Sequence, residues 1–408
     1  MSEILFIGHR IPFPPDRGDK IRSHHFLKRL AALAPVHVAC FADDDADGLQ
    51  EPELAHTAAS HCLVRRSRPV PLAALQALAL HRPVSLPAFA SSKLARYIDH
   101  VLATRPISTI FVFSGQMAQY LPRHFGGRIV MDFVDVDSAK FDAYAARSMQ
   151  PYKALYAREA RLLRRFEERV AGSVDASLFV TPEEVALFES RLEAPLRRDV
   201  LAIGNGIDAG YFDPAGIAAA PELLKGGPQI VFTGQMDYPP NIAAVESFAT
   251  QVMPLVRAAF PQAGFHIVGR SPAASVRALE GVNGTSVAGA VPDVRPWLAA
   301  ADLVVAPLEI ARGVQNKVLE AMAMARPVLV TSAAATGIGA VDGVELAIAD
   351  GAAPLAERAI DLLGHVERAS AMGVAGRRFV IAHRSWASVL EPLSDLVGQD
   401  RRARRDAA

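Results

Sequence analysis

The sequence predicts an α/β protein made of two doubly wound parallel-sheet domains, and three observations carry this. Short runs rich in Val, Ile, Leu and Phe alternate with amphipathic stretches along the whole chain, which is the pattern of strands buried on both faces and joined by helices. A chain of 408 residues is long for one core and suits two of similar size. The pattern also restarts midway, because Ile230-Val231-Phe232-Thr233-Gly234 repeats the form of Ile4-Leu5-Phe6-Ile7-Gly8, an apolar strand ending in glycine.

Taken in order, the strand candidates of the first half are Ile4 to Ile7, Val36 to Phe41, Cys62 to Val64, Ile110 to Phe113, Ile129 to Phe133, Ser177 to Val180 and Val200 to Ile203. Helices are expected between them at Ser23 to Ala34, Ser91 to Thr104 and Lys153 to Gly172. Gly204-Asn205-Gly206 closes this half. It lacks the third glycine of a dinucleotide fingerprint, position 209 being Ala, and Asp213-Pro214 stands where a helix would be needed, so an oxidoreductase reading is poor. Residues 211–228, rich in Ala, Gly and Pro, are read as a linker between a domain at 1–210 and a second at 229–384. The second half offers strands at Ile230 to Gly234, Phe265 to Val268, Thr285 to Val287, Asp302 to Val305, Val328 to Val330 and Glu345 to Ile348.

Residues 302–339 carry the most chemistry. A buried strand from Asp302 is followed by a polar loop with Arg312 and Gly313, a helix of strong formers from Asn316 to Ala325, a stop at Arg326-Pro327 and the next strand. The loop therefore lies at the carboxyl end of a parallel strand, where open sheets bind ligands. Arg312 and Lys317 flank a helix N-terminus whose free N–H groups already favour an anion such as phosphate. Glu320, about one turn further on, supplies a carboxylate that accepts from a pair of hydroxyls. A nucleotide presents both groups. The same spacing also fits a plain Lys317 to Glu320 surface pair on an amphipathic helix. In the first half, Asp132, Asp135 and Asp137 fall at the carboxyl end of a strand, where they could orient a hydroxyl group, with Asp137 or Ser138 also able to cap a helix beginning near Lys140.

Composition narrows the classes. Lys and Arg number 43 and Asp and Glu 43, so no global field draws the chain to nucleic acid. Cys40 and Cys62 each sit in a strand-like run and read as small core residues, without a disulfide framework. Because Ile4 to Ile7 is already a strand, no leader is expected and the location is read as cytoplasmic. The longest apolar helix candidate, Leu72 to Leu80, is far short of the roughly 20 residues a membrane span needs. The basic tail Arg401-Arg402-Ala403-Arg404-Arg405 would allow a peripheral contact with the inner membrane face, although a solvated charge run is the plainer reading.

The stretch Gly313-x-x-Asn316-Lys317-Val318-Leu319-Glu320-Ala321-Met322-Ala323 followed by Arg326-Pro327-Val328 resembles the donor-site signature of retaining GT-B glycosyltransferases of family 4. With FIGHRIPFPPDRGDKIRSHHFLKRL, DFVDVDSAK, GNGIDAGYFDP and FTGQMDYPPN in this order, nearly the whole chain is similar to the sugar transferases of bacterial exopolysaccharide clusters linked to the exosortase (PEP-CTERM) protein-sorting system. The resemblance implies two facing Rossmann-like domains with a cleft between them and a C-terminal helix, 385–400, crossing back to the first domain. It further implies transfer of a sugar, with retention, from a nucleotide-diphosphate sugar to a glycan or lipid-linked glycan acceptor, with no cofactor beyond that co-substrate.

By the same resemblance Arg17, Gly18, Asp19 and Lys20 form an acceptor-side loop that approaches the donor diphosphate, and the backbone near Ala290 and Val291 forms the base pocket. The chain departs from the wider family in having Gln235 and Asn241 where an Arg and a Lys are usual, and Arg312 where the first Glu of a Glu-x7-Glu pair is usual. Positive charge is thereby moved to Arg312 and Lys317, with Arg270 assisting, and Gly234 is counted with the donor-binding residues. Asp135-Val136-Asp137 has the spacing of a metal-binding Asp-x-Asp pair, but that device belongs to a single-sheet glycosyltransferase fold with no use for the Arg312 to Glu320 group, so no metal is expected. Arg312, Lys317 and Asp135 are the catalytic candidates. A sugar-nucleotide epimerase of the same architecture and a non-catalytic nucleotide-sugar-binding protein stay open as alternatives.

Overall fold

Alternating apolar runs become two parallel sheets in the computed structural model, which describes residues 2–66, 76–78, 80–223, 226–311 and 314–398. The chain divides into two units, Met1–Asn205 with Leu390–Ala408, and Gly206–Val389.

In the first unit, β1 (Glu3–Gly8), β2 (Val36–Ala42), β3 (Ser60–Arg65), β4 (Ile107–Phe113), β5 (Arg128–Val134), β6 (Ala176–Phe179) and β7 (Asp199–Ala202) run parallel in the order β3-β2-β1-β4-β5-β6-β7. Every residue of β1 and β2 is buried, so both faces of the sheet are covered and the strands read as continuous apolar runs. Cys40 and Cys62 are free and buried on the neighbouring strands β2 and β3. Burial pushes both thiols up, away from the reactive thiolate.

The second unit holds β8 (Gln229–Thr233), β9 (Gly264–Val268), β10 (Thr285–Gly289), β11 (Leu303–Ala306), β12 (Val328–Val330) and β13 (Ala347–Ile348), parallel in the order β10-β9-β8-β11-β12-β13. In both units the strand order reverses direction beside the first strand. Loops leaving β8 and β11 therefore diverge and open a crevice at the carboxyl edge of the sheet.

Each strand candidate overlaps a strand, but several other boundaries differ. The first helix begins at Gly18, not Ser23, and runs to Leu33, because the Ser23 hydroxyl donates back to the Asp19 carbonyl at 2.9 Å within the helix instead of capping it. The region read as one helix near Trp386 to Val397 is two short ones, Trp386–Val389 and Leu393–Leu396, with Pro392, which has no N–H to donate, standing between them. Leu390, Leu393, Leu396 and Val397 are buried in the first unit, where Thr109 Oγ1 donates to the Val397 carbonyl at 3.2 Å. Finally, the stretch read as a linker belongs to the second unit, whose core takes in Ile207, Ala220 and Leu223. The Ala220 N–H donates to the Pro296 carbonyl at 3.0 Å. Leu72 to Leu75 of the apolar candidate, and the basic tail, lie outside the described residues. Among the described residues no helix is long and apolar enough to cross a membrane.

Candidate functional site

The crevice of the second unit is built by glycines first. The Gly234 N–H donates to the Val268 carbonyl at 3.0 Å, which holds the end of β8 against the end of β9. A Cβ on Gly269 would stand 1.6 Å from the Gly234 carbonyl oxygen, so only glycine fits there. A Cβ on Gly234 would in turn meet Lys317 Nζ and Asn241 Nδ2, each at 2.9 Å. The glycine that follows β8 is thus the floor on which the Lys317 ammonium rests.

Lys317 enters from the helix Asn316–Ala323, which follows β11. Its Nζ donates to Asn241 Oδ1 at 2.6 Å and lies 4.5 Å from the centre of the Phe232 ring. Asn241, on the helix Pro239–Ser247, is buried and donates through Nδ2 to the Gln235 carbonyl at 2.8 Å. Asn241, a neutral amide, therefore orients the Lys317 ammonium, where a second ammonium would repel it. Gln235 is exposed, and Arg270, also exposed, donates to its Oε1 at 3.5 Å.

Two ionisable groups here are shifted towards each other. Burial pushes Lys317 down to about 8, opposed by the charge of Glu320. Burial likewise pushes Glu320 up to about 7, opposed by Lys317. Each charge is incompletely compensated, so an incoming anion favours the lysine and incoming hydroxyl donors favour the carboxylate. No acidic residue stands in the first turn of the helix, and its N-cap residue, Gln315, supplies no side-chain cap. The helix dipole therefore adds to the anion preference. Asn316 is exposed at the mouth, and Val291, after β10, packs half-buried against the unit's core. Arg312 and Gly313 lie outside the described residues.

The first-unit candidates divide differently. Asp132 is fully buried and held in a fork by Arg22, Nε to Oδ2 at 2.9 Å and Nη2 to Oδ1 at 3.1 Å. Arg22 Nη1 also donates to the Ile203 carbonyl at 2.7 Å and to Asn205 Oδ1 at 3.1 Å. The expectation that Asp132 orients an acceptor is thus corrected, since its oxygens are engaged in joining β5 to the first helix and the chain after β7. Lys20 is corrected likewise. It is 3% exposed, and its ammonium donates to Asp47 Oδ1 at 2.5 Å and the Phe13 carbonyl at 3.1 Å, turned into the fold.

Asp19 stays on the surface side, bonded to His9 Nε2 at 3.1 Å and to Arg10, with Arg17 at 3.7 Å. Burial alone would raise its carboxyl, but the His9 hydrogen bond and the Arg10 charge take it well below the usual range. Arg17 is about half exposed, and a Cβ on Gly18 would meet nothing within 4 Å.

Asp135 and Asp137 share Lys140, at 3.8 and 3.0 Å. The helix after β5 begins at Asp137, ahead of the expected start near Lys140. Its first N–H groups are not capped by Asp137 or Ser138. Glu184 Oε2 accepts from Val136 N at 2.7 Å, and Glu167 Oε1 accepts from Ser138 N at 2.9 Å. Among the described residues no group of three or more His, Cys, Asp or Glu side chains is placed to hold a metal ion.

Sequence reasoning missed Gly269, Phe232 and Arg22. Only the Gly269-Arg270 pair after a strand carried a signal, since glycine at the carboxyl end of a buried strand marks a close backbone approach.

Residues 227–365, which contain this whole crevice, match the family model described as glycosyl transferases group 1. Among curated proteins no sequence matches the chain. Among solved structures it is similar to sucrose-phosphate synthase from Thermosynechococcus elongatus, with 16% identity, 99% of this chain and 100% of that one covered, and a TM-score of 0.59. It is also similar to Anabaena HepE in complex with UDP and glucose, with 13% identity, coverage of 97% and 99%, and a TM-score of 0.59. A third is a mutant of S. aureus TarM in complex with Fondaparinux, α-GlcNAc-glycerol and UDP, with 12% identity, coverage of 98% and 100%, and a TM-score of 0.59. The two parallel sheets have the GT-B fold, and the group 1 match supports a glycosyltransferase.

Proposed function

We propose that this protein transfers a sugar from a nucleotide-diphosphate sugar to a hydroxyl of a glycan or lipid-linked glycan acceptor, with retention and without a metal ion, in exopolysaccharide or other cell-surface glycan synthesis. The observation that carries the reading is the desolvated Lys317 ammonium, held by Asn241 on a glycine floor beside Glu320 at the β8/β11 crevice. The diphosphate lies against Lys317 and the start of its helix, with Arg312 and Arg270 completing the positive wall. Glu320 accepts from the ribose hydroxyls, and the backbone near Val291 faces the base. As the bond from the sugar to the phosphate breaks, charge grows on the phosphate oxygens, and fixed donors in a water-poor site stabilise it without reorganising. Asp135 serves the acceptor side. Retention and the exosortase link rest on the sequence resemblance.

Uridine nucleotides are the first donors to try, since HepE and TarM are described in complex with UDP. Purified protein incubated with labelled sugar nucleotides and membrane extract should label an acceptor. Isomerised free sugar would instead favour the epimerase, and binding without turnover the silent binder.

Lys317→Ala should weaken binding of the donor by about 1.5–3 kcal/mol, roughly 10- to 150-fold, as for loss of a charged hydrogen bond. Calorimetry should find binding of the free nucleoside unchanged. An equal loss for the nucleoside would count against the diphosphate assignment.

The same pair sets a pH window. Donor charge is constant near neutrality, so affinity should peak between about pH 7, below which Glu320 takes a proton, and about pH 8, above which Lys317 loses one. Lys317→Ala should abolish the alkaline fall and Glu320→Gln the acid one. A profile flat from pH 6 to 9 in the wild type would refute the pairing.

Turnover is expected to survive excess chelator, because side-chain cations balance the leaving group. Loss of activity with EDTA, restored by manganese, would return Asp135 and Asp137 to a metal role.

A further inference from the structure

The helix Tyr152–Ser173 leaves its apolar stripe uncovered at one end. From Glu159 onward the stripe is buried through Ala160, Leu163, Glu167 and Val170. Helical spacing puts Tyr152 and Tyr156 on the same side, yet Tyr152 is 62% exposed. The preceding helix, Asp137–Arg147, brings Phe141 and Tyr144 to this tip, with ring centres of Tyr144 and Tyr156 5.8 Å apart and those of Phe141 and Tyr156 6.1 Å apart. Between the helices Met149 is 85% exposed, and Leu155 is exposed beside the tyrosines. Aromatic and aliphatic side chains are thus gathered at the end of a helical hairpin, and among the described residues Tyr144, Met149, Tyr152 and Leu155 stay exposed there.

The outward face of the same helix is basic. Lys153, Arg161, Arg164, Arg165 and Arg169 are exposed, and none has an ion pair among the described residues. The acids of the helix are engaged elsewhere. Glu159 Oε1 accepts from Val84 N at 2.6 Å, Glu167 Oε1 from Ser138 N, and Glu168 Oε1 from Glu193 N at 2.9 Å. Nearby Asp142 is bonded to Arg191 at 2.6 Å, and Asp135 and Asp137 to Lys140. In a chain whose formal charge is zero, this is a local cationic surface beside an aromatic tip.

We propose that the 137–173 hairpin is a docking surface for an anionic lipid membrane. Tyr144, Met149, Tyr152 and Leu155 enter the headgroup boundary, where rings with one polar edge are favoured. Lys153 lies at the tip beside the headgroups, and Arg161, Arg164, Arg165 and Arg169 follow it along the outward face, where their longer-range attraction to an anionic surface is strongest at low salt. Charge complementarity selects the lipid surface over a second copy of this chain, which would bring the same cations together. The proposal is independent of the sugar-transfer reading and adds a place where a lipid-linked acceptor would be met.

Flotation of the full-length protein with vesicles of phosphatidylcholine, and of phosphatidylcholine with about 30% phosphatidylglycerol, tests it. Binding should be at least about tenfold stronger to the anionic vesicles and fall with added salt. Tyr152→Ser with Met149→Ser should reduce it several-fold at unchanged charge, and Arg161→Gln with Arg165→Gln should reduce it at low salt. Tyr152→Trp should shift its emission to shorter wavelength on adding anionic vesicles, against a constant background from Trp297 and Trp386, both buried in the second unit. Donor binding should stay at the wild-type level in all these variants, which separates this test from that of the donor site. Absence of vesicle binding at low salt would overturn the proposal. So would binding that survives the tip variants and is lost when the chain ends at Gly398, or concentration-dependent self-association abolished by the tip variants.

Discussion

Arg22→Ala should lower the stability of the first unit by about 3–5 kcal/mol, the cost of leaving a buried carboxylate unpaired. For a unit of this size that corresponds to a fall in melting temperature of roughly 6–20 °C. The guanidinium makes both bonds to Asp132, bonds to the Ile203 carbonyl and Asn205 Oδ1, and lies 4.6 Å from the Phe26 ring centre, while both charged partners are sealed from water. Removing it leaves Asp132 with the single donor Val134 N, at 3.1 Å. A double variant, Arg22→Met with Asp132→Leu, should recover much of the loss, because two buried apolar groups carry no desolvation penalty. Thermal melts of the three proteins measure this. Arg22→Ala melting within about 2 °C of wild type would show that the fork contributes little.

Arg312→Ala should lower kcat by about 100- to 1,000-fold with a smaller change in KM, as when one donor to a developing oxyanion is removed. The argument is chemical. By the sequence resemblance Gln235 and Asn241 stand where two cations are usual, and Asn241 is engaged in orienting Lys317, so Arg312 is the proposed source of the second charge. A guanidinium meets two phosphate oxygens at once, and its contact strengthens as charge grows on them. Arg312→Lys keeps the charge without the planar fork and should restore little. Arg312→Glu should be worse than Ala, since it adds a carboxylate to the loop ahead of Lys317. A Glu variant as active as wild type would show that Arg312 takes no part in the reaction.

Much of the fold was legible from the sequence, for reasons visible in particular elements. Runs such as Ile4 to Ile7 and Val328 to Val330 are apolar at every position, which only a strand covered on both faces tolerates. Their bounding Gly and Pro mark where the chain turns. Helix ends were less legible. Ser23 has the chemistry of an N-cap but lies a turn inside its helix, and the first N–H groups of the Asp137–Arg147 helix are taken by Glu167 and Glu184 from later helices. No local signal encodes a partner that distant.

By itself the sequence determined the parallel αβ architecture, the repeat of a glycine-ended strand in each half, and the position of Lys317 and Glu320 at the start of a helix after a buried strand. Those features depend on residues adjacent in the chain, where periodicity and capping act. Only the tertiary structure decided which charges are free to act. Asp132, Asp135 and Asp137 look alike in sequence, but a sheet covered on both faces erases the alternation that would separate inward from outward residues. Asp132 alone meets an arginine 110 positions away, and Lys20 is likewise neutralised by Asp47. The shifts of Lys317 and Glu320 also come from burial, which depends on how Phe232, Gly234 and Asn241 pack around them and not on their spacing in the chain.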